Sequence, residues 1–140
     1  MAYIDTSVLV AYYCPERLSL KAERIVRAAE GPAISPLVEV EFCSALAIKT
    51  RTGGLAKDDA RKVLSVFLAH LLEGRYRSVP IDAREYLLAR DWIGAFSTPL
   101  RTVDALHLAA AFSNDLTLVT ADKALAACAK ALGVKHRLVA

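Results

Sequence analysis

Leu116-Thr117-Leu118-Val119-Thr120-Ala121-Asp122-Lys123 is the stretch that decides the fold class. Its first five residues, apolar and β-branched, read as a short strand. Ala121-Asp122-Lys123 then opens a helical pattern that runs to Leu132 and stops at Gly133. The start of the chain repeats this arrangement. Ala2-Tyr3-Ile4-Asp5 is a strand ending in Asp, and the helix that follows covers Val8 to Cys14, with Pro15 as its stop. Strands that feed directly into helices point to parallel pairing, because parallel neighbours must be joined by a crossover.

Further strands are expected at Ala33–Ser35, Tyr76–Pro80 and Val134–Arg137. Helices are expected over Leu18–Glu30, Pro36–Thr50, Lys57–Leu72, Ala83–Ala95, Val103–Ser113 and Lys123–Leu132. The alternation predicts an α/β domain with a mainly parallel sheet, and 140 residues suit one domain with one core, spanning residues 1–140. The composition is 55% hydrophobic and 24% charged with only 6 Gly and 5 Pro, so disorder and low-complexity classes are excluded. No leader and no apolar run of membrane-spanning length is visible, and a soluble cytoplasmic protein is expected. Cys14, Cys43 and Cys128 lack Cys-x-x-Cys spacing and read as reduced thiols, not as zinc ligands.

In open parallel sheets, ligands bind beyond the carboxyl ends of the strands. Asp5 and Asp122 both fall there, and for either one alone an N-cap is the simpler reading. Asp104 is different. It opens the nearly all-apolar helix Val103-Asp104-Ala105-Leu106-His107-Leu108-Ala109-Ala110-Ala111-Phe112, with Leu100, Arg101, His107 and Leu108 on its own face. A buried, unpaired carboxylate there would cost more than the helix dipole returns. Glu41 interrupts an apolar stripe of Leu37, Val38, Ala45 and Ile48, while Glu39 lies on another face; periodicity does not choose between the two.

Two unit charges about 4 Å apart repel by about 4 kcal/mol at an effective dielectric near 20, so four converging carboxylates call for a cation. An all-oxygen donor set selects Mg²⁺ or Mn²⁺ over zinc, and such sites hydrolyse phosphodiesters. The net charge of +3 agrees: with four acids in a metal site, 18 basic residues face 11 acidic ones and leave +7 for a polyanion.

Tyr3-Ile4-Asp5-Thr6-Ser7, Ser35-x5-Glu41-x3-Ala45-Leu46, Val103-Asp104-Ala105-Leu106-His107-Leu108-Ala109 and Val119-Thr120-Ala121-Asp122-Lys123 resemble the four blocks of the PIN-domain ribonucleases. Length and spacing are similar to those of the VapC toxins of toxin–antitoxin modules. The resemblance selects Glu41 over Glu39, since the family acid stands six residues after the Ser and four before the Ala. It implies a three-layer α/β/α sandwich with a parallel sheet of four or five strands. It also implies Mg²⁺- or Mn²⁺-dependent endoribonuclease activity, homodimerisation and inhibition by a cognate antitoxin. Asp5, Glu41, Asp104 and Asp122 would bind metal, with Thr6, Ser7 and Thr120 as hydroxyl neighbours.

His107 suits a packed, hydrogen-bonded helix histidine better than a general base. Tyr12, Tyr13 and Trp92 are placed in a core or dimer interface ahead of base stacking, and Arg75 and Arg77 are placed in solvent ahead of phosphate contacts. A receiver-like phospho-accepting domain fits less well, because only one acid, Asp5, follows the first strand. A nucleotide-binding domain lacks its glycine-rich loop. A PIN nuclease of RNA processing or DNA metabolism, outside any toxin–antitoxin module, stays open as the alternative.

Overall fold

The computed structural model describes all 140 residues. Five strands, β1 (Ala2–Ile4), β2 (Ala33–Ile34), β3 (Arg77–Ser78), β4 (Thr117–Thr120) and β5 (His136–Leu138), form one parallel sheet in the order β3-β2-β1-β4-β5. The crossovers are helical throughout. Helices α1 (Thr6–Tyr13) and α2 (Ser19–Ala28) join β1 to β2, and α3 (Pro36–Arg51) and α4 (Lys57–Leu72) join β2 to β3. Helices α5 (Ala83–Gly94) and α6 (Thr102–Ser113) lead to β4, and α7 (Lys123–Ala131) leads to β5. The result is a three-layer sandwich with helices on both sides of the sheet. No helix is long and apolar enough to cross a membrane.

The chain steps outward from β1 through β2 to β3, then returns to place β4 on the other side of β1. The crossovers diverge between β1 and β4, and their carboxyl ends bound the crevice in which such sheets bind ligands. The register Ala2↔Thr117, Tyr3↔Leu118 and Ile4↔Val119 brings the two strands to an end side by side.

Tyr3, Ile4, Leu118 and Val119 are buried, as expected of central strands covered on both faces. One apolar cluster runs through all three layers. On the α3–α4 side it is aromatic: Phe42 and Phe67 rings lie 4.5 Å apart, and Tyr13 packs edge-on against both at 5.5 Å. The Tyr13 hydroxyl is not stranded, because it meets His70 Nδ1 and the Tyr76 hydroxyl at 2.6 Å each. Helix α6 is buried continuously from Ala105 to Ala111, and its small residues let it lie close to its neighbours.

Element boundaries differ from the sequence expectation in instructive places. Strand β1 stops at Ile4 and α1 starts at Thr6, two residues earlier than expected, because the Asp5 carbonyl already accepts the Val8 amide at 3.0 Å. Ser35 leaves the sheet to cap α3, accepting the Val38 amide. Strand β3 is reduced to Arg77–Ser78, although the Val79 amide still reaches the Ile34 carbonyl at 2.8 Å. Strand β5 begins at His136, not Val134, because the Val134 amide closes the end of α7 on the Ala129 carbonyl.

Candidate active site

Asp5 sits where β1 gives way to α1, at the mouth of the crevice between β1 and β4. Its amide continues the sheet ladder to the Val119 carbonyl at 2.9 Å. Its side chain does not cap α1. Instead Oδ2 accepts the Ser7 hydroxyl at 2.6 Å and the Thr120 hydroxyl at 2.9 Å. Those hydroxyls are themselves fixed from the β4 side: Ser7 Oγ accepts the Ala121 amide at 2.9 Å, and Thr120 Oγ1 accepts the Asp122 amide at 3.0 Å. Each hydroxyl has one proton, and each gives it to Asp5. The buried Asp5 carboxylate is therefore oriented by both strand ends at once, with Oδ1 left without a protein donor.

Asp122 does cap its helix. Its Oδ1 accepts the amides of Ala124 at 2.8 Å and Leu125 at 3.1 Å. The simpler sequence reading thus holds for Asp122 and fails for Asp5. Capping occupies one oxygen and leaves Oδ2 without a protein donor. Asp122→Ala is expected to be about 1 kcal/mol less stable than Asp122→Asn in a denaturant melt, because both remove the charge and only Asn keeps a capping oxygen. Equal stability of the two variants would contradict the capping geometry.

Glu41 comes from α3, whose residues Val38, Phe42 and Leu46 are buried in the core. One position before Phe42, Glu41 is turned toward the start of α1. Its Oε1 accepts the Thr6 hydroxyl at 2.8 Å and a short hydrogen bond from His107 Nε2 on α6. Burial alone would raise its pKa. The His107 hydrogen bond and charge, with the Thr6 hydroxyl, outweigh that and hold it below the usual glutamate value. Oε2 has no protein donor. Glu39, the rival on α3, takes part in none of these contacts.

Asp104, half-buried in the first turn of α6, accepts no side-chain hydrogen bond. Burial pushes its carboxyl above its ordinary value. The negative charges of Asp122, Asp5 and Glu41 add to that, against a smaller opposing effect of His107. The four acids therefore share one electrostatic neighbourhood. The tightest group within it is Asp5, Glu41 and His107, each with one ligand-type atom within 4.8 Å of the others. Asp104 and Asp122 lie outside that tight group.

Tyr3 and Ser35 were not anticipated as site partners. The Tyr3 hydroxyl, deep in the sheet, meets His107 Nδ1 at 2.8 Å and Ser35 Oγ at 2.7 Å. The available signals were a polar-tipped residue in an otherwise apolar central strand and a serine at a helix start. His107 is buried and bonded through both ring nitrogens, in agreement with the sequence expectation. Trp92 packs edge-on against Phe112 at 5.7 Å, and Arg75 pairs with Glu73 at 2.7 Å.

A family model described as PIN domain matches residues 2–131. The chain belongs to the PIN domain family. Among solved structures, this PIN domain resembles FitAcB from Neisseria gonorrhoeae, with a TM-score of 0.72 at 18% identity, covering 97% of this chain and 96% of that one. It resembles VapC20 from Mycobacterium tuberculosis, described as a sarcin-ricin loop cleaving toxin, with a TM-score of 0.69 at 18% identity and coverage of 91% and 94%. A toxin–antitoxin complex from Klebsiella pneumoniae gives a TM-score of 0.60 at 20% identity over 90% and 91% of the two chains. At these identities the likeness shows the fold alone. No curated protein sequence matches.

Proposed function

We propose that this PIN domain is a Mg²⁺- or Mn²⁺-dependent endoribonuclease, the toxin of a toxin–antitoxin module, with Asp5, Glu41, Asp104 and Asp122 as metal-holding acids. One observation carries the reading. Asp5, Glu41 and Asp122 are each anchored to the protein through a single oxygen, and each keeps the other free of protein donors. Asp104, lacking any such anchor, is pushed toward its neutral form by burial and by its neighbours' charge. Hard oxygen donors arranged in this way fit a small divalent cation, which relieves the repulsion.

When bound, the cation lowers the pKa of a nucleophilic water and neutralises charge developing on the phosphate. The protein's own part is orientation. Ser7 and Thr120 hold Asp5, Thr6 and His107 hold Glu41, and the first amides of α7 hold Asp122, so little reorganisation accompanies the reaction. In-line attack of water at phosphorus breaks the bond to the 3′-oxygen, which leaves as a hydroxyl, and the phosphate stays on the 5′-oxygen. The basic balance outside the four acids supports a polyanionic substrate. Support for the toxin role comes from the likeness to the Mycobacterium tuberculosis toxin and to the Klebsiella pneumoniae complex. A cognate antitoxin and a homodimer belong to the same reading, as does a cytoplasmic location.

Incubating the purified protein with total RNA tests this directly. Cleavage is expected with Mg²⁺ or Mn²⁺ and not in chelator, leaving 5′-phosphate and 3′-hydroxyl ends. Undiminished cleavage in chelator, or 2′,3′-cyclic phosphate ends, would overturn it.

A further inference from the structure

We propose that His107 is a positioning residue for Glu41 and not a metal ligand, held in place by a hydrogen-bonded chain that begins at the N-cap of α3. This rests on the metal-site reading above. Asp5, Glu41 and His107 lie close enough together to suggest a mixed carboxylate–imidazole site. The hydrogen bonds favour a different arrangement. An ionised carboxylate only accepts, so the bond between Glu41 Oε1 and His107 Nε2 places a proton on Nε2. The other ring nitrogen, Nδ1, meets the Tyr3 hydroxyl at 2.8 Å. The Tyr3 hydroxyl also meets Ser35 Oγ at 2.7 Å, and Ser35 Oγ accepts the Val38 amide. Both ring nitrogens are thus taken up by protein groups, and no ring lone pair remains for a cation.

Burial makes the chain rigid. Tyr3, Ser35 and His107 are fully buried, so no water competes for these bonds. Tyr3 belongs to β1, which carries Asp5 two residues on; Ser35 caps α3, which carries Glu41; His107 lies one turn after Asp104 on α6. One imidazole thus ties together the three elements that present three of the four acids. Two donors converge on Glu41 Oε1, from Thr6 and His107, and fix Oε2 as the oxygen turned to the cation. Partners of this kind set ligand orientation without touching the metal.

The test compares His107→Leu, His107→Gln, Tyr3→Phe and Glu41→Gln with the wild type. Free Mn²⁺ is followed by EPR without RNA, and folding is checked by thermal melts in chelator. Leu removes the donor, Gln keeps an N–H of similar reach, and Phe removes only the hydroxyl that holds Nδ1. His107→Leu should weaken Mn²⁺ binding about 10–100-fold, the usual loss for an outer-shell partner, and His107→Gln should recover most of it. Tyr3→Phe should weaken binding in the same direction by a smaller factor. The Mn²⁺-loaded wild type should show no hyperfine coupling from a directly bonded nitrogen. If His107→Leu fails to fold, Tyr3→Phe and the nitrogen coupling decide. Wild-type Mn²⁺ affinity in His107→Leu or Tyr3→Phe, with Glu41→Gln impaired, would overturn the positioning role alone. So would no recovery in His107→Gln, or a directly bonded nitrogen. Wild-type affinity in Glu41→Gln would overturn the underlying metal-site reading.

Discussion

Asp5→Asn is expected to reduce RNA cleavage by at least about a hundredfold, while the protein stays folded. Loss of an outer-shell partner already costs about 10–100-fold, and Asp5 is the most constrained of the four acids. The substitution is mild for the fold. The Asn carbonyl still accepts the Ser7 and Thr120 hydroxyls that meet Oδ2 at 2.6 and 2.9 Å, so the latch between β1 and the end of β4 survives. What changes is one negative charge and the free Oδ1, which becomes a donor amide. Single-turnover cleavage in Mg²⁺, paired with a melt of the same sample, separates the two effects. A fully active Asp5→Asn enzyme with an unchanged melt would remove Asp5 from the chemistry.

Asp104→Asn should invert a stability ranking. The Asp104 carboxyl is raised above its ordinary 3.8, first by burial and then by Asp122 and Asp5. A raised acid favours the fold in its protonated form. Its contribution is fully present below about pH 4 and is lost as pH climbs through the raised native value. At neutral pH the ionised carboxylate therefore weakens the metal-free protein. Asn keeps the shape and removes the charge, so in chelator the variant should melt at or above the wild type. The gap should open between about pH 4 and neutrality and vanish below it. Its size should be roughly 1 kcal/mol, the pair repulsion of about 4 kcal/mol cut down for partial exposure and salt screening. Mg²⁺ at a hundred times its dissociation constant adds about 2.7 kcal/mol to a protein that binds it only when native, so the wild type should then overtake the variant. If Asp104 were an ordinary first-turn acid, Asn would cost up to about 1 kcal/mol at neutral pH and Mg²⁺ would change nothing.

The features legible in the sequence were those with a local cause. Strand-to-helix junctions at Asp5 and Asp122 announced a parallel sheet, and the apolar helix around Asp104 announced a buried charge in need of a partner. All five strands and seven helices lie where the pattern placed them, with ends shifted by capping bonds. Asp5 moved from strand to cap because its carbonyl begins α1. The features hidden in the sequence were those that depend on elements far apart in the chain. Periodicity did not separate Glu41 from Glu39, and only the family resemblance chose Glu41; in the fold the core seats of Val38, Phe42 and Leu46 set which way α3 is turned. Tyr3, Ser35 and His107 are separated by 32 and 72 positions and carry no shared motif, yet the topology stacks β1, α3 and α6 so that their polar tips meet. Thr6 also broke a local expectation: adjacent to Asp5 in sequence, it donates to Glu41.

A crystal grown with Mn²⁺ shows, without reference to RNA, whether these acids hold a divalent cation. Diffraction collected at the manganese absorption edge should give an anomalous peak in contact with Asp5 Oδ1 and with a carboxylate oxygen of at least one of Glu41, Asp104 and Asp122. The same crystal form of Asp5→Asn should lose that peak or show it strongly weakened. An Mn²⁺ concentration that supports RNA cleavage by the wild type, yet leaves no anomalous density among the four carboxylates, would mean that these acids do not hold the cation used in cleavage.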